Sequence, residues 1–151
     1  MLIRNILEES VRKFDEVKAV KWLKKKEIME RSYGELMENV VSTRKGLLAE
    51  GFEGKHIALI GTSSVEWMES YLGIITGCTT AVPLDAALPC EDMIDLLNRS
   101  DSVALFLSPK LRPYLDAFLE NCPKLQKVWM LQEEVEDAPA KVYGIGELRN
   151  A

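Results

Sequence analysis

Glu91, Asp92 and Asp95 are a carboxylate group that could gather around a cation, since residues four apart share one face of a helix. Acidic residues in a first helical turn are, however, what the helix dipole favours with no ligand at all. Gly61-Thr62-Ser63-Ser64 brings small and hydroxylic residues to a helix start, where backbone N–H groups can hold a phosphate. Ser63 and Glu66 also spell Ser-x-x-Glu, a capping box, and that cap accounts for both residues without an anion. Lys110 and Arg112 are the best-placed cations, because they follow a strand at Val103–Leu107, on the carboxyl side where open α/β sheets gather ligands. Lys24-Lys25-Lys26 could be a phosphate or membrane patch, but nothing aromatic or glycine-rich accompanies it, and a solvated turn is the simpler reading.

Other chemistries lack their parts. His56 is the sole histidine, so a Ser-His-acid triad would have to recruit it, and no Gly-x-Ser-x-Gly elbow is present. The Gly-x4-Gly-Lys-Ser/Thr string of a P-loop is absent, and Gly144-Ile145-Gly146 is a bare pair rather than a dinucleotide fingerprint. Cys78, Cys90 and Cys122 contain no C-x-x-C pair and cannot form a zinc site with one histidine. Their odd number and wide spacing suit a reducing cytoplasm, with the cysteines as small core-filling side chains.

The elements that must position these residues follow from periodicity. Ile3, Leu7, Val11 and Phe14 mark one face of an N-terminal helix within Leu2 to Val17. Ala19 to Leu23 alternates as a strand does, and the lysines after it read as a hairpin turn or exposed edge. Ser32 and Glu35 form a first capping box, opening a helix with Leu36, Val40, Thr43 and Leu47 on one stripe and Gly51 as its left-handed stop. Ile57-Ala58-Leu59-Ile60 is a continuous apolar run suited to a strand buried on both faces. A helix through Trp67, Met68, Tyr71, Leu72 and Ile75 follows, then a strand at Thr80–Pro83 and a helix from Cys90 to Asn98. Val103–Leu107 is a further strand. Ser108-Pro109 caps a helix to Asn121, and Lys127–Leu131 is the last clear strand. Strand–helix alternation of this length predicts the α/β class: a parallel doubly wound half-sheet with flanking helices and a small N-terminal hairpin. Residues 1–131 read as one unit and 132–151 as a weakly specified tail.

Composition narrows the partners. The 151 residues are 47% hydrophobic and 28% charged, with a net charge of −5. That is enough apolar material to bury roughly 70% of the unfolded surface, and the acidic balance argues against nucleic acid. No apolar run reaches the roughly 20 residues of a membrane-spanning helix. The N-terminal residues do not read as a signal peptide.

Three strings, in order, resemble the N-terminal region of the adenylate-forming ligases, the superfamily of acyl-CoA synthetases, peptide-synthetase adenylation domains and luciferases. Arg31-Ser32-Tyr33-Gly34-Glu35-Leu36 is similar to that family's Leu-Thr/Ser-Tyr-x-Glu-Leu box, and Ser63-Ser64-Val65-Glu66-Trp67 to its Asn-Ser-x-Glu-Trp. Ala81-Val82-Pro83-Leu84-Asp85 matches the end of its Gly-x-x-x-x-Pro-Leu-Asp box. Cys78 stands where the box has Gly, Lys55 where an aspartate is common and Ser63 where Asn is usual.

The resemblance implies the first subdomain of a longer AMP-forming acyl-CoA synthetase. Such an enzyme joins a small carboxylic acid to AMP with ATP and Mg²⁺, and then passes the acyl group to CoA. The phosphate loop, the ribose-binding aspartate and the C-terminal lysine of the family are not in this sequence. The piece itself is therefore expected to be structural and to take no cofactor. Its expected partner is the remainder of the same ligase chain, with a homodimer through an unpaired sheet edge as a further expectation. By position and charge, Lys110 and Arg112 are the expected contacts to the CoA nucleotide. The alternative is a complete, non-catalytic doubly wound binding module with a ligand at its carboxyl edge. A phosphoacceptor receiver domain is set aside, because Gly61-Thr62 stands where acidic residues are needed.

Overall fold

The structure is a computed structural model describing residues 3–24, 27–132 and 134–150. Two sheets form. Strands β1 (Lys18–Lys24) and β2 (Glu27–Ser32) make an antiparallel hairpin behind helix α1 (Ile3–Phe14). Lys25 and Lys26, read from sequence as part of its turn, lie outside the described residues. The main sheet is parallel, in the order β4-β3-β5-β6-β7. Its strands are β3 (His56–Ile60), β4 (Thr80–Leu84), β5 (Ala104–Leu107), β6 (Lys127–Met130) and β7 (Val142–Gly144). Helices α2 (Tyr33–Ala49), α3 (Val65–Ile75), α4 (Cys90–Arg99), α5 (Leu115–Asn121) and α6 (Ile145–Arg149) complete the chain. The fold is thus the α/β half-sheet with a small hairpin that the alternation predicts.

Strand periodicity divides the core. Ala58, Ile60, Leu105, Leu107, Val128 and Met130 point to one face, against Met93 and Leu97 of α4 and Leu115 and Phe118 of α5. Ile57, Leu59, Ala104, Phe106 and Trp129 point to the other, against Leu47 of α2, Ile74 of α3 and Ile145 and Leu148 of α6. Burial on both faces is why these strands are continuous apolar runs. Pro83, which has no N–H to give, lies in the edge strand β4, where a missing donor is tolerated.

The first capping box forms as its residues predict. Glu35 N donates to Ser32 Oγ at 3.1 Å, and Ser32 N donates to Glu35 Oε1 at 3.1 Å. The bond from Ser32 N, and then the Ser32 side chain, hold the Glu35 carboxyl below its ordinary range. Gly51, at φ 81°, ends α2 in the left-handed conformation. We expect Ser32→Ala to lower stability by about 1 kcal/mol. In a urea titration the midpoint should fall with the slope unchanged, and an unchanged midpoint would deny the cap its role.

Four details depart from the sequence reading. The cap of α3 is Ser64, not Ser63: Trp67 N donates to Ser64 Oγ at 3.1 Å, so the helix starts one residue later than Ser-x-x-Glu suggests. The helix expected from Ser108 to Asn121 is split into a 3₁₀ turn at Pro109–Tyr114 and α5. Pro113 cannot donate an i→i−4 bond, and the Ser108 hydroxyl makes no cap there because it is used elsewhere. The buried side of α3 is Val65, Glu69, Ser70, Gly73 and Ile74, whereas Trp67, Met68, Tyr71, Leu72 and Ile75 stay half-buried. Gly73 explains the rotation, since a Cβ there would lie 2.7 Å from Thr43 of α2. Finally, the stretch after Gln132 supplies β7 and α6, whose Ile145 and Leu148 enter the core.

Candidate functional site

In the main sheet the connection from β3 runs outward to β4, and the chain then returns past β3 to build β5, β6 and β7 in the other direction. The switch point between β3 and β5 is where open parallel sheets bind ligands, outside the carboxyl ends of the strands. Register brings those ends level: Ile60 pairs with Leu84 on one side and Leu107 on the other. The residues over the crevice are therefore Gly61 and Thr62 from β3 and Ser108 from β5.

They fill it themselves. Thr62 N donates to Ser108 Oγ at 3.2 Å. A Cβ on Gly61 would lie 2.0 Å from Ser108 Oγ and 3.2 Å from Trp67 Cδ1, so only glycine fits beneath the two side chains. The backbone donor that an anion would use is taken by a hydroxyl of the same chain, and Ser64 is spent on the helix start. After β4, Asp85 Oδ1 accepts from Ala87 N at 2.9 Å and shapes its own turn.

The two basic residues singled out by position fall near this edge but do not converge. Lys110 is exposed in the 3₁₀ turn. Arg112 donates from Nη2 to the carbonyls of Glu136 and Asp137, at 3.1 and 3.2 Å, and so fastens the segment before β7. The other candidates are also placed by structure. Glu91 and Asp92 are exposed in the first turn of α4, and Asp95 pairs with Arg99 at 3.0 Å. Among the described residues no group of His, Cys, Asp or Glu is arranged to hold a metal ion. His56 is exposed at the opposite end of the sheet, where Nδ1–H donates to the Ser100 carbonyl at 2.6 Å. The three cysteines are free thiols, with Cys78 exposed and Cys122 buried.

One polar cluster was not legible as such in the sequence. Glu69 is fully buried in α3, and its carboxylate accepts from Asn39 Nδ2 of α2 at 2.9 Å. Arg149 Nη1 of α6 lies 3.4 Å from its Oε1, and Arg31 Nε of β2 lies 3.1 Å from its Oε2 without hydrogen-bond alignment. Arg31 also stands over the Trp22 ring at 5.4 Å, and Arg149 Nε donates to Thr43 Oγ1 at 2.9 Å. Burial raises the Glu69 carboxyl above its ordinary value, against the opposing pull of Asn39 and the two arginines. Hairpin, α2, α3 and α6 meet at this carboxylate. It is a clasp. The only sequence signal was a second acid, after Glu66, in an otherwise apolar helix.

ATP, a metal and CoA are the groups that the earlier resemblance implies. At the crevice, Thr62 N and Trp67 N are taken by Ser108 Oγ and Ser64 Oγ, and among the described residues no group of three or more His, Cys, Asp or Glu is placed to hold a metal ion. No helix among those residues is long and apolar enough to cross a membrane.

Comparison with known proteins places this geometry. The family model described as AMP-binding enzyme matches residues 7–147. The 4-hydroxybutyrate--CoA ligase 2 of Metallosphaera sedula is 24% identical over 119 residues, which is 78% of this chain and 21% of that protein. The chain therefore spans about a fifth of the length of this curated relative. Coronafacic acid ligase from Pectobacterium brasiliense superposes over 100% of this chain and 30% of its own, with a TM-score of 0.89 and 19% identity. The N-terminal domain of FACL13 from Mycobacterium tuberculosis superposes over 93% of this chain and 38% of its own, with a TM-score of 0.76 and 18% identity. Since the family model takes in nearly every element from α1 to α6, the chain belongs to the AMP-binding enzyme family, as an N-terminal subdomain of the adenylate-forming ligase superfamily.

Proposed function

We propose that this chain is the leading structural subdomain of an AMP-forming acyl-CoA synthetase of the cytoplasm, and that it catalyses nothing alone. The intact enzyme would convert a small carboxylic acid and ATP to acyl-adenylate and pyrophosphate, with Mg²⁺, and then form the CoA thioester. The observation that carries this reading is a family match over residues 7–147 on a chain whose own switch-point crevice is filled by Gly61, Thr62 and Ser108. The role left to the fold is to present a rigid half-sheet to the rest of the ligase. Lys110 and Arg112 are proposed contacts to the CoA nucleotide in that assembly. The edge strands β4 and β7 are the proposed route to a homodimer.

Purified chain should give no ATP–pyrophosphate exchange with a panel of short, medium and aromatic carboxylic acids. Exchange above the no-enzyme rate would overturn the proposal. Reading the gene beyond codon 151 tests the other half. A Ser/Thr/Gly-rich loop followed by lysine should appear downstream, and its absence would sink the ligase assignment of the whole.

A further inference from the structure

A second cavity, of about 260 Å³, lies where α1, the end of α2 and the end of α3 meet. That is room for roughly nine water molecules at about 30 Å³ each. Arg4, Arg44 and Lys45 supply its cations, Leu47 and Leu48 its apolar wall, and Cys78 a thiol. Leu47 is buried, but Leu48 is 53% exposed, an unspent apolar surface directly beside the cations. Arg4 is paired with Glu8 at 2.9 Å. Arg44 Nη1 donates to the Thr76 carbonyl at 3.3 Å. Among the described residues neither Arg44 nor Lys45 has a carboxylate within ion-pair distance, although Glu53 lines the same cavity.

The fold keeps Arg44 there deliberately tight: a Cβ on Gly77 would lie 2.9 Å from Arg44 Cγ, so glycine makes room for the arginine stem. Burial, and then the neighbouring Arg4, disfavour the charge on Arg44, and Glu8, the acid paired with Arg4, offsets them only in part. An anion beside that guanidinium would offset both. A planar guanidinium fork matches a carboxylate, and the apolar wall of Leu47 and Leu48 gives the body of an organic acid a contact that a bare hydrated anion cannot use.

We infer that this cavity binds a small organic carboxylate, its head group on Arg44 and Lys45 and its apolar body against Leu47 and Leu48. The inference stands apart from the proposed ligase activity, because it uses neither the crevice nor any nucleotide. Cys78 supplies the readout. It is the exposed thiol, whereas burial pushes the Cys90 thiol up and the Cys122 thiol up to about 11.

The test is the rate of Cys78 alkylation by iodoacetamide, read by peptide mass spectrometry on the full chain, against rising hexanoate. Saturating hexanoate should slow Cys78 at least about threefold, whereas inorganic phosphate and hexylamine leave it unchanged. Arg44→Gln should abolish the protection. Lys45→Gln, at an exposed position, should move it to several-fold higher hexanoate, and it keeps the test valid if the first variant does not fold. Absence of protection by hexanoate, equal protection by phosphate, or protection unaltered in Lys45→Gln would each overturn the inference.

Discussion

Glu69→Ala should cost this protein about 3–5 kcal/mol, the usual penalty for removing one partner from a buried ion pair. With a total stability on the order of 5–15 kcal/mol, the variant sits at or near the edge of folding. Its thermal midpoint should drop by roughly 6–20 °C, at about 2–4 °C per kcal/mol for a chain of this size. The cause is specific. The Glu69 carboxylate is fully buried, and it is the point at which Asn39, Arg31 and Arg149 are gathered from α2, β2 and α6. Removing it leaves positive charge in a low-dielectric site without the negative charge that offset its burial.

Glu69→Gln separates charge from shape, and here pH decides. Burial raises the folded-state pKa above the ordinary 4.5. The folded protein then holds this proton more tightly than the unfolded chain, so the associated stability is fully present below 4.5 and is lost as pH rises through the folded value. Wild type should therefore gain on Glu69→Gln as pH falls toward 4.5, in paired urea titrations. A difference that narrows on acidification would mean that the arginines, rather than burial, govern the carboxyl.

Phe106→Ala is expected to be as severe, about 3–5 kcal/mol, for an unrelated reason. Phe106 is fully buried in β5, a strand paired on both sides, and its ring lies 5.3 Å from that of Trp129 in β6. The neighbouring strands are fixed by their ladders and cannot close on the space, so the cost is transfer plus cavity. Leu48→Ala, at a side chain 53% exposed, is the control and should stay within about 0.5 kcal/mol. A Phe106→Ala loss below about 1.5 kcal/mol, judged by urea midpoint, would contradict a close-packed core on that face.

Both effects bear on the proposed role. A subdomain that works by presenting a rigid surface has no turnover to lose, so damage shows first as lost stability. The clasp at Glu69 also ties α6, through Arg149, to the first half of the fold. The last residues described here are thus held against α2 and α3 rather than trailing from the sheet.

How much of this was legible in the sequence depends on the range of the forces involved. The α/β class, the hairpin, the Ser32–Glu35 cap, the Gly51 stop and the buried runs of β3, β5 and β6 are written locally. Each is set by neighbours within about one helical turn or by strand alternation, and such signals survive without tertiary context. Two further features were local but ambiguous. Ser63 and Ser64 are adjacent hydroxyls, and only the path out of β3 decides which one caps α3. Ser108 reads as a cap, yet its hydroxyl bonds Thr62, 46 residues earlier.

The rest is decided by packing between distant segments. The buried face of α3 follows Gly73 against Thr43 rather than the apolar stripe, because close approach of two helices outweighs the hydrophobicity of single positions. Glu69 is an ordinary surface acid in sequence, and it becomes a clasp only when Asn39, Arg31 and Arg149 surround it. The sequence by itself thus determined the elements, the class and the kinship with adenylate-forming ligases. The tertiary structure decided that the crevice is closed by its own Gly61 and Ser108, because that contact joins residues far apart along the chain that meet only when β3 and β5 pair.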